Sequence, residues 1–190
     1  MYTNWTPPIT SGEKSLSQDE YDKLLTVCET LEEELLLRMA VELGLRRMDI
    51  SKVKIADIDI DHAKLSYFEH KKDRIRTIPL SPRLVQKIKQ YLATLPRTGR
   101  RQKMLFRWGA TKYGDKTAYR RLQSLKERAG IRPGEALPFH ALRATCVKMK
   151  QKQGWTPEQV ARLIGDTVRV VQLHYSTPSD QELQELMERS

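Results

Sequence analysis

The sequence predicts an α+β chain, mainly helical, with one small three-stranded antiparallel sheet near residues 53–80. Three observations carry that expectation. Apolar residues recur at helical spacing over most of the chain, as in Tyr21, Leu24, Leu25 and Cys28, or Leu84, Val85, Ile88, Tyr91 and Leu92. Between residues 53 and 80 the period shortens to two, in V-K-I-A-D-I-D-I, K-L-S-Y-F-E and R-I-R-T-I-P-L, with Asp61, His62, Lys72 and Asp73 at the turns. Residues that start and stop helices stand where these periods begin and end.

Taken in order, residues 1–15 contain Pro7, Pro8, Ser11 and Gly12 without periodicity and are expected to form a flexible tail or linker, leaving 16–190 as one domain. S-Q-D-E at 17–20 is a capping box, Ser17 with Glu20, that opens the first helix. A second helix runs from Leu31 to Leu43 with Leu35, Leu36, Met39 and Leu43 inward, and Gly44 ends it. Arg46 follows just past that end, aimed into a cleft, with Asp49 placed to hold it. The last hairpin puts Lys71 and Lys72 on its exposed tip. Ser81 caps a helix over 82–95. A basic loop at 96–103 and a helix at 115–129, which carries Lys116, Arg120, Arg121, Lys126 and Arg128, both suit the phosphates of a duplex. Thr156 and Pro157 open another helix. Ser179 caps a short terminal one with Leu183, Leu186 and Met187 as a narrow apolar stripe.

The charge balance narrows the partner. Against 24 Asp+Glu stand 34 Lys+Arg, a net charge of +10 in 190 residues. Such an excess favours a polyanion, with nucleic acid first. The sequence shows no secretory signal and no apolar run near membrane length, so a cytoplasmic protein without a membrane partner is expected. Cys28 and Cys146 fall inside helices without ligand neighbours and are expected as free thiols. The absence of a P-loop, a dinucleotide fingerprint and a metal-ligand cluster leads us to expect no cofactor and no metal.

The stretch 138–175 carries the chemistry. His140 and Arg143 share one helical face, and Tyr175 closes the run. Two cationic donors can neutralise phosphate oxygens as charge builds, while a phenol attacks phosphorus. A free phenol, with a pKa of about 10, is roughly one part in a thousand ionised at neutral pH, so it needs such help.

Arg46, the Lys71 hairpin, H-A-L-R at 140–143 and Tyr175, in this order, resemble the catalytic domain of the tyrosine recombinases, the phage and viral integrase family. G-L-R-R-M-D-I is similar to that family's G-L-R-x-S-E-L, R-T-I-P-L to R-x-V-P-L, and L-I-G-D-T-V-R-V-V-Q-L-H-Y to L-G-H-x-S-x-x-x-T-x-x-Y. The resemblance covers about residues 16–190. It implies a site-specific recombinase, or integrase, whose partner is double-stranded DNA and which joins itself to the 3′ phosphate. In it Arg46 and Arg143 clamp the non-bridging oxygens, His140 adds a donor, Lys71 protonates the leaving 5′ oxygen and Tyr175 is the nucleophile. It further implies a monomer when free and a homo-tetramer on DNA, with the terminal helix docked on a neighbouring protomer.

Two departures stand out. Asp166 occupies the position where the family has His or Trp; it is expected to orient Arg143 or His140, or to accept the tyrosine proton. The family's amino-terminal DNA-clamping domain is expected to be absent. The competing reading is a non-enzymatic regulator, because T-P-E-Q-V-A-R-L-I-G-D-T-V-R-V-V spaces Ala161, Gly165 and Val170 as a helix-turn-helix does.

Overall fold

The computed structural model describes residues 11–96 and 102–190. Two helices form its centre. Helix α2, Leu31–Leu43, buries Leu35, Leu36, Leu37, Met39, Ala40, Val41 and Leu43, so it is apolar on nearly every face, as a core helix must be. Helix α6, His140–Lys152, buries everything from Ala141 to Lys148. Around this pair lie α1 (Gln18–Thr26), α3 (Arg47–Ser51), α4 (Pro82–Ala93) and α5 (Gly114–Ala129). After α6 come α7 (Pro157–Ile164), the short α8 (Val168–Val170), a π turn over Val171–Tyr175, and α9 (Asp180–Glu188). The sheet order is β1-β2-β3, all antiparallel: β1 Ile58–Asp59, β2 Lys64–Glu69 and β3 Arg74–Pro79, with Phe68 opposite Ile75 and Glu69 opposite Arg74.

Apolar burial divides into two clusters. The larger joins α1 to α5 and the inner face of the sheet, and reaches Ala141 and Leu142 on α6. The smaller begins at Ala144 and takes in Val160, Ile164, Val171 and Tyr175. Arg143 falls at the seam between them. The caps read from sequence hold: Ser17, Thr156 and Ser179 each close a reciprocal capping box, and Gly44 ends α2 at φ 64°.

Several expectations need correction. Strand 53–60 shrinks to Ile58–Asp59, because the Asp57 carboxylate accepts from the Lys54 amide at 3.0 Å and folds Ile55–Asp57 into a 3-10 turn. Val53 and Ile55 pair instead with Leu105 and Lys103 (2.9 Å each). Of the tail expected over 1–15, the described part is structured: Ser11–Lys14 forms a 3-10 turn. Lys148 Nζ donates to Gly12 O, the Leu16 amide to Thr145 Oγ1, and Arg132 to the carbonyls of Lys14 and Ser15, all at 2.8 Å. Gly12 is pressed against Tyr175 and Thr177: a Cβ on it would stand 2.8 Å from backbone atoms of both. Residues 1–10 lie outside the described residues.

The basic helix α5 is only partly available to a duplex. Glu29, Glu32 and Glu33, at and just ahead of the amino end of α2, take Arg121 and Arg128, with Arg128 Nη2 at 2.6 Å from Glu33, and Lys126 is buried. Lys116 and Arg120 remain exposed. Of the basic loop at 96–103, residues 97–101 lie outside the described residues.

Candidate active site

Arg143 is the hub. It is 1% exposed, and its guanidinium closes the carbonyl ends of two helices. Nη1 donates to Gly44 O at 2.6 Å, where α2 stops, and Nη2 to Ile164 O at 2.8 Å, where α7 stops. Terminal carbonyls lack intrahelical donors and carry the negative end of the helix dipole, so a buried cation is well placed there. Nη2 also reaches Asp166 Oδ2 at 2.7 Å, and Nε reaches Tyr175 Oη at 3.1 Å. Burial works against this charge, yet Tyr175 and Asp166 beside it hold its pKa above the ordinary arginine value.

Arg46 arrives from the other side. The left-handed turn at Gly44 leaves no space for a side chain, since a Cβ there would stand 2.9 Å from Ile164 Cγ2. Two residues on, Arg46 sits extended ahead of α3 and sends Nη1 to Glu69 Oε1 at 2.6 Å and Nη2 to Asp166 Oδ2 at 3.2 Å. Asp49, expected to hold Arg46, does not. It turns into the protein, accepts from the His70 amide at 3.0 Å and faces His70 Nδ1 at 2.9 Å, which pins the hairpin tip to α3.

Tyr175 rides the π turn and is buried, with Oη 2.7 Å from His140 Nε2. Desolvation of the ring where it packs on Tyr175, then the charges of Arg143, Arg46 and Lys71, push the His140 pKa down to about 4, although the residue as a whole keeps an exposed face. At neutral pH the imidazole is therefore uncharged and Nε2 can accept the phenol proton. The thiols offer no rival nucleophile, since burial pushes Cys28 up to about 11 and Cys146 up to about 12.

Asp166 follows Gly165, whose φ of 74° closes α7; both amides bond to Ala161 O (2.9 and 3.0 Å). Its Oδ2 is shared by Arg46 and Arg143, and Oδ1 takes Lys72 Nζ at 3.0 Å. Burial would raise its pKa, but Arg143, Lys72 and Arg46 bring it down to about 2. It is ionised at neutral pH, but a carboxylate with so low a pKa is a weak base, and its hydrogen bonds go to Arg143, Arg46 and Lys72, with none to Tyr175 among the described residues. Of the roles expected for it, contact with Arg143 is the one present.

The hairpin supplies residues that the sequence reading did not single out as site residues. Glu69, fully buried, is gripped by Arg46 and by Arg74 Nε at 2.7 Å. Arg74 and Arg76 extend to the carbonyl end of α7, Arg74 to Gly165 O at 3.2 Å and Arg76 to Arg162 O at 2.5 Å and Leu163 O at 3.1 Å. Lys72 also bonds Gly165 O. Lys71 is exposed and makes no ion pair with the described residues. So Arg46, His140, Arg143, Asp166 and Tyr175 converge, and Lys71 stands at the rim. The R-I-R alternation in β3 was the available signal for Arg74 and Arg76, since period two places both on one face.

The fold is that of the tyrosine recombinase catalytic domain. The crystal structure of XerA recombinase superposes with a TM-score of 0.76 at 20% identity, over 92% of this chain and 64% of that one. XerH bound to its palindromic difH substrate gives 0.71 at 18%, over 92% and 52%. A lambda integrase dimer bound to a COC′ core site gives 0.63 at 21%, over 80% and 57%. The model of the phage integrase family matches residues 14–181, and the chain belongs to that family. Among curated relatives, the tyrosine recombinase XerA of Pyrococcus horikoshii is 25% identical over 93% of this chain, and that of Pyrococcus furiosus is 27% identical over 93%. The chain spans 61% and 62% of the length of these two.

Proposed function

We propose that this chain cuts and rejoins double-stranded DNA through Tyr175, as the strand-transfer unit of a site-specific recombinase. The observation that carries this is the pair of contacts on one phenol oxygen: a neutral acceptor, His140 Nε2, at 2.7 Å and a fixed cation, Arg143 Nε, at 3.1 Å. As Oη attacks phosphorus, its proton passes to His140 Nε2, and the imidazolium can then donate to a phosphate oxygen. Arg46 and Arg143 oppose the charge that builds on the non-bridging oxygens. The P–O5′ bond breaks, and the 5′ oxygen takes its proton from the hairpin, where Lys71 is free to turn toward DNA. The 3′-phosphotyrosyl bond keeps the energy of the broken ester, so rejoining is the same path reversed and needs no nucleotide.

A helix-turn-helix reader fits less well. The element after Gly165 is a three-residue helix that runs straight into the buried Tyr175 turn, and the carbonyl end of α7 is covered by Arg76 and Arg74. On DNA we propose assembly to a tetramer, supported by the exposed Leu183, Leu186 and Met187 on α9. Sedimentation of full chain and of a 179–190 deletion, with and without duplex, checks it: a DNA-free oligomer, or unchanged assembly after deletion, removes the idea. The reaction itself is tested with a nicked duplex on a denaturing gel. Wild type should leave a covalent adduct and Tyr175→Phe none. An undiminished adduct from the phenylalanine variant moves the nucleophile elsewhere.

A further inference from the structure

Asp166 is not needed to place the two arginines whose inner N–H groups it takes. Arg143 is already fixed by two backbone carbonyls, Gly44 O and Ile164 O. Arg46 is already fixed by Glu69, a carboxylate with no exposure at all. What Asp166 adds is charge. Its Oδ2 lies within hydrogen-bond distance of both guanidinia at once, and its Oδ1 draws in the one hairpin lysine that reaches the pocket. A carboxylate bridging two arginines and a lysine offers the oxygen pattern of a bound phosphodiester.

The end of α7 sets where that carboxylate starts. Asp166 leaves the left-handed stop at Gly165, against which the Arg76 guanidinium is packed too closely to admit a Cβ. From there the short side chain reaches both arginines with Oδ2 and Lys72 with Oδ1.

We propose that Asp166 is a resident stand-in for the scissile phosphate: it competes with the incoming phosphodiester for Arg46, Arg143 and Lys72, and so sets how readily this site takes DNA. The proposal rests on the strand-transfer reading for its substrate. Phosphate entry exchanges one anion for another at the same donors and releases Lys72 from its ion pair. A like charge about 5 Å from a bound phosphate in a partly buried site weakens binding on the order of a hundredfold, and solvent screening brings this nearer to tenfold. A residue that merely positions the arginines has the opposite sign: its removal weakens binding.

The test uses the full chain without DNA and orthophosphate as the probe, with binding read from the NMR shift of the His140 imidazole at pH 7. Asp166→Asn keeps the shape and one acceptor while removing the charge; it should bind orthophosphate about tenfold more tightly than wild type. Asp166→Ser, which shortens the side chain without straining the turn, should move affinity the same way. Equal or weaker binding by both variants overturns the proposal. A second arm measures single-turnover adduct formation on nicked duplex, where Asp166→Asn should be faster than wild type; a slower variant overturns it. If phosphate binds more tightly but no protein forms an adduct, the anion exchange stands and strand transfer through Tyr175 falls.

Discussion

The helical wall of the site and the hairpin wall are held by different means. On the helical wall Arg143 is 1% exposed, and its donors go to backbone carbonyls at the ends of two packed helices. Tyr175 lies against it in the smaller apolar cluster, and His140, on the more open side, shares a hydrogen bond with the phenol. On the hairpin wall, Lys72 and Arg74 are 32% and 48% exposed, and Lys71 sits on a 3-10 turn held by the Asp49–His70 contact. On the strand-transfer reading, the proposed nucleophile and phosphate clamp belong to the rigid wall, and the proposed donor of the leaving-group proton to the exposed one.

If that division is right, the deepest loss comes from the helical wall. Arg143→Lys keeps the charge but cannot reach Gly44 O, Ile164 O and Tyr175 Oη together, since an ammonium lacks the planar fork. Supercoil relaxation should fall about 10³-fold. A relaxation rate equal to wild type would mean that the buried guanidinium is structural only.

Lys71→Ala should come next, slowing cleavage about 10²-fold as expected for a lost general acid. A substrate with sulfur at the bridging 5′ position, whose leaving group needs no proton, should recover most of that rate. Lys72→Ala should cost under about tenfold, and a reversed order would assign the proton to the lysine that Asp166 holds.

Glu69→Gln sharpens the comparison from the hairpin side. It leaves Arg46 and Arg74 facing a neutral, buried amide, and breaking such a pair costs on the order of 3 kcal/mol, less where Arg74 meets solvent. Urea unfolding should show the loss, while the Tyr175 adduct still forms at reduced rate. An unchanged midpoint would show that Asp166 alone holds Arg46.

The smallest expected effect is a titration. The His140 imidazole in DNA-free protein should protonate near pH 4, well below the usual histidine range. Its folded value is depressed, so the unfolded chain takes up the proton first. Its contribution to stability is complete above about pH 6.5 and is lost as pH falls through about 4. Midpoints from NMR above 6 would break the neutral-acceptor role.

What was legible in the sequence was local. The capping box at Ser17, the caps at Thr156 and Ser179, and the stop at Gly44 are decided within four residues, and each stands. The order of Arg46, His140, Arg143 and Tyr175 survives as a cluster because each lies beside a helix end or on a core face. Partners across the fold were not legible. Asp49 is three residues from Arg46, but its bond is to His70; Arg46 finds Glu69 and Asp166 instead, through packing that no short window contains. The basic face of α5 misled for the same reason, since the glutamates that take Arg121 and Arg128 lie on another helix and its lead-in.

Gly12 touches the backbone of Tyr175 and Thr177 with no room for a methyl group between them. The 3-10 turn at Ser11–Lys14 and the turn that carries the phenol thus behave as one mechanical part, riveted through Lys148 to α6. Tension applied at Ser11 is passed to the backbone of Tyr175, about one side chain from its phenol oxygen. A fusion partner or surface tether attached at that end loads this turn through Gly12, whereas the same load attached after α9 reaches it along the backbone of residues 176–179, with the Lys148–Glu182 pair tying α9 to α6.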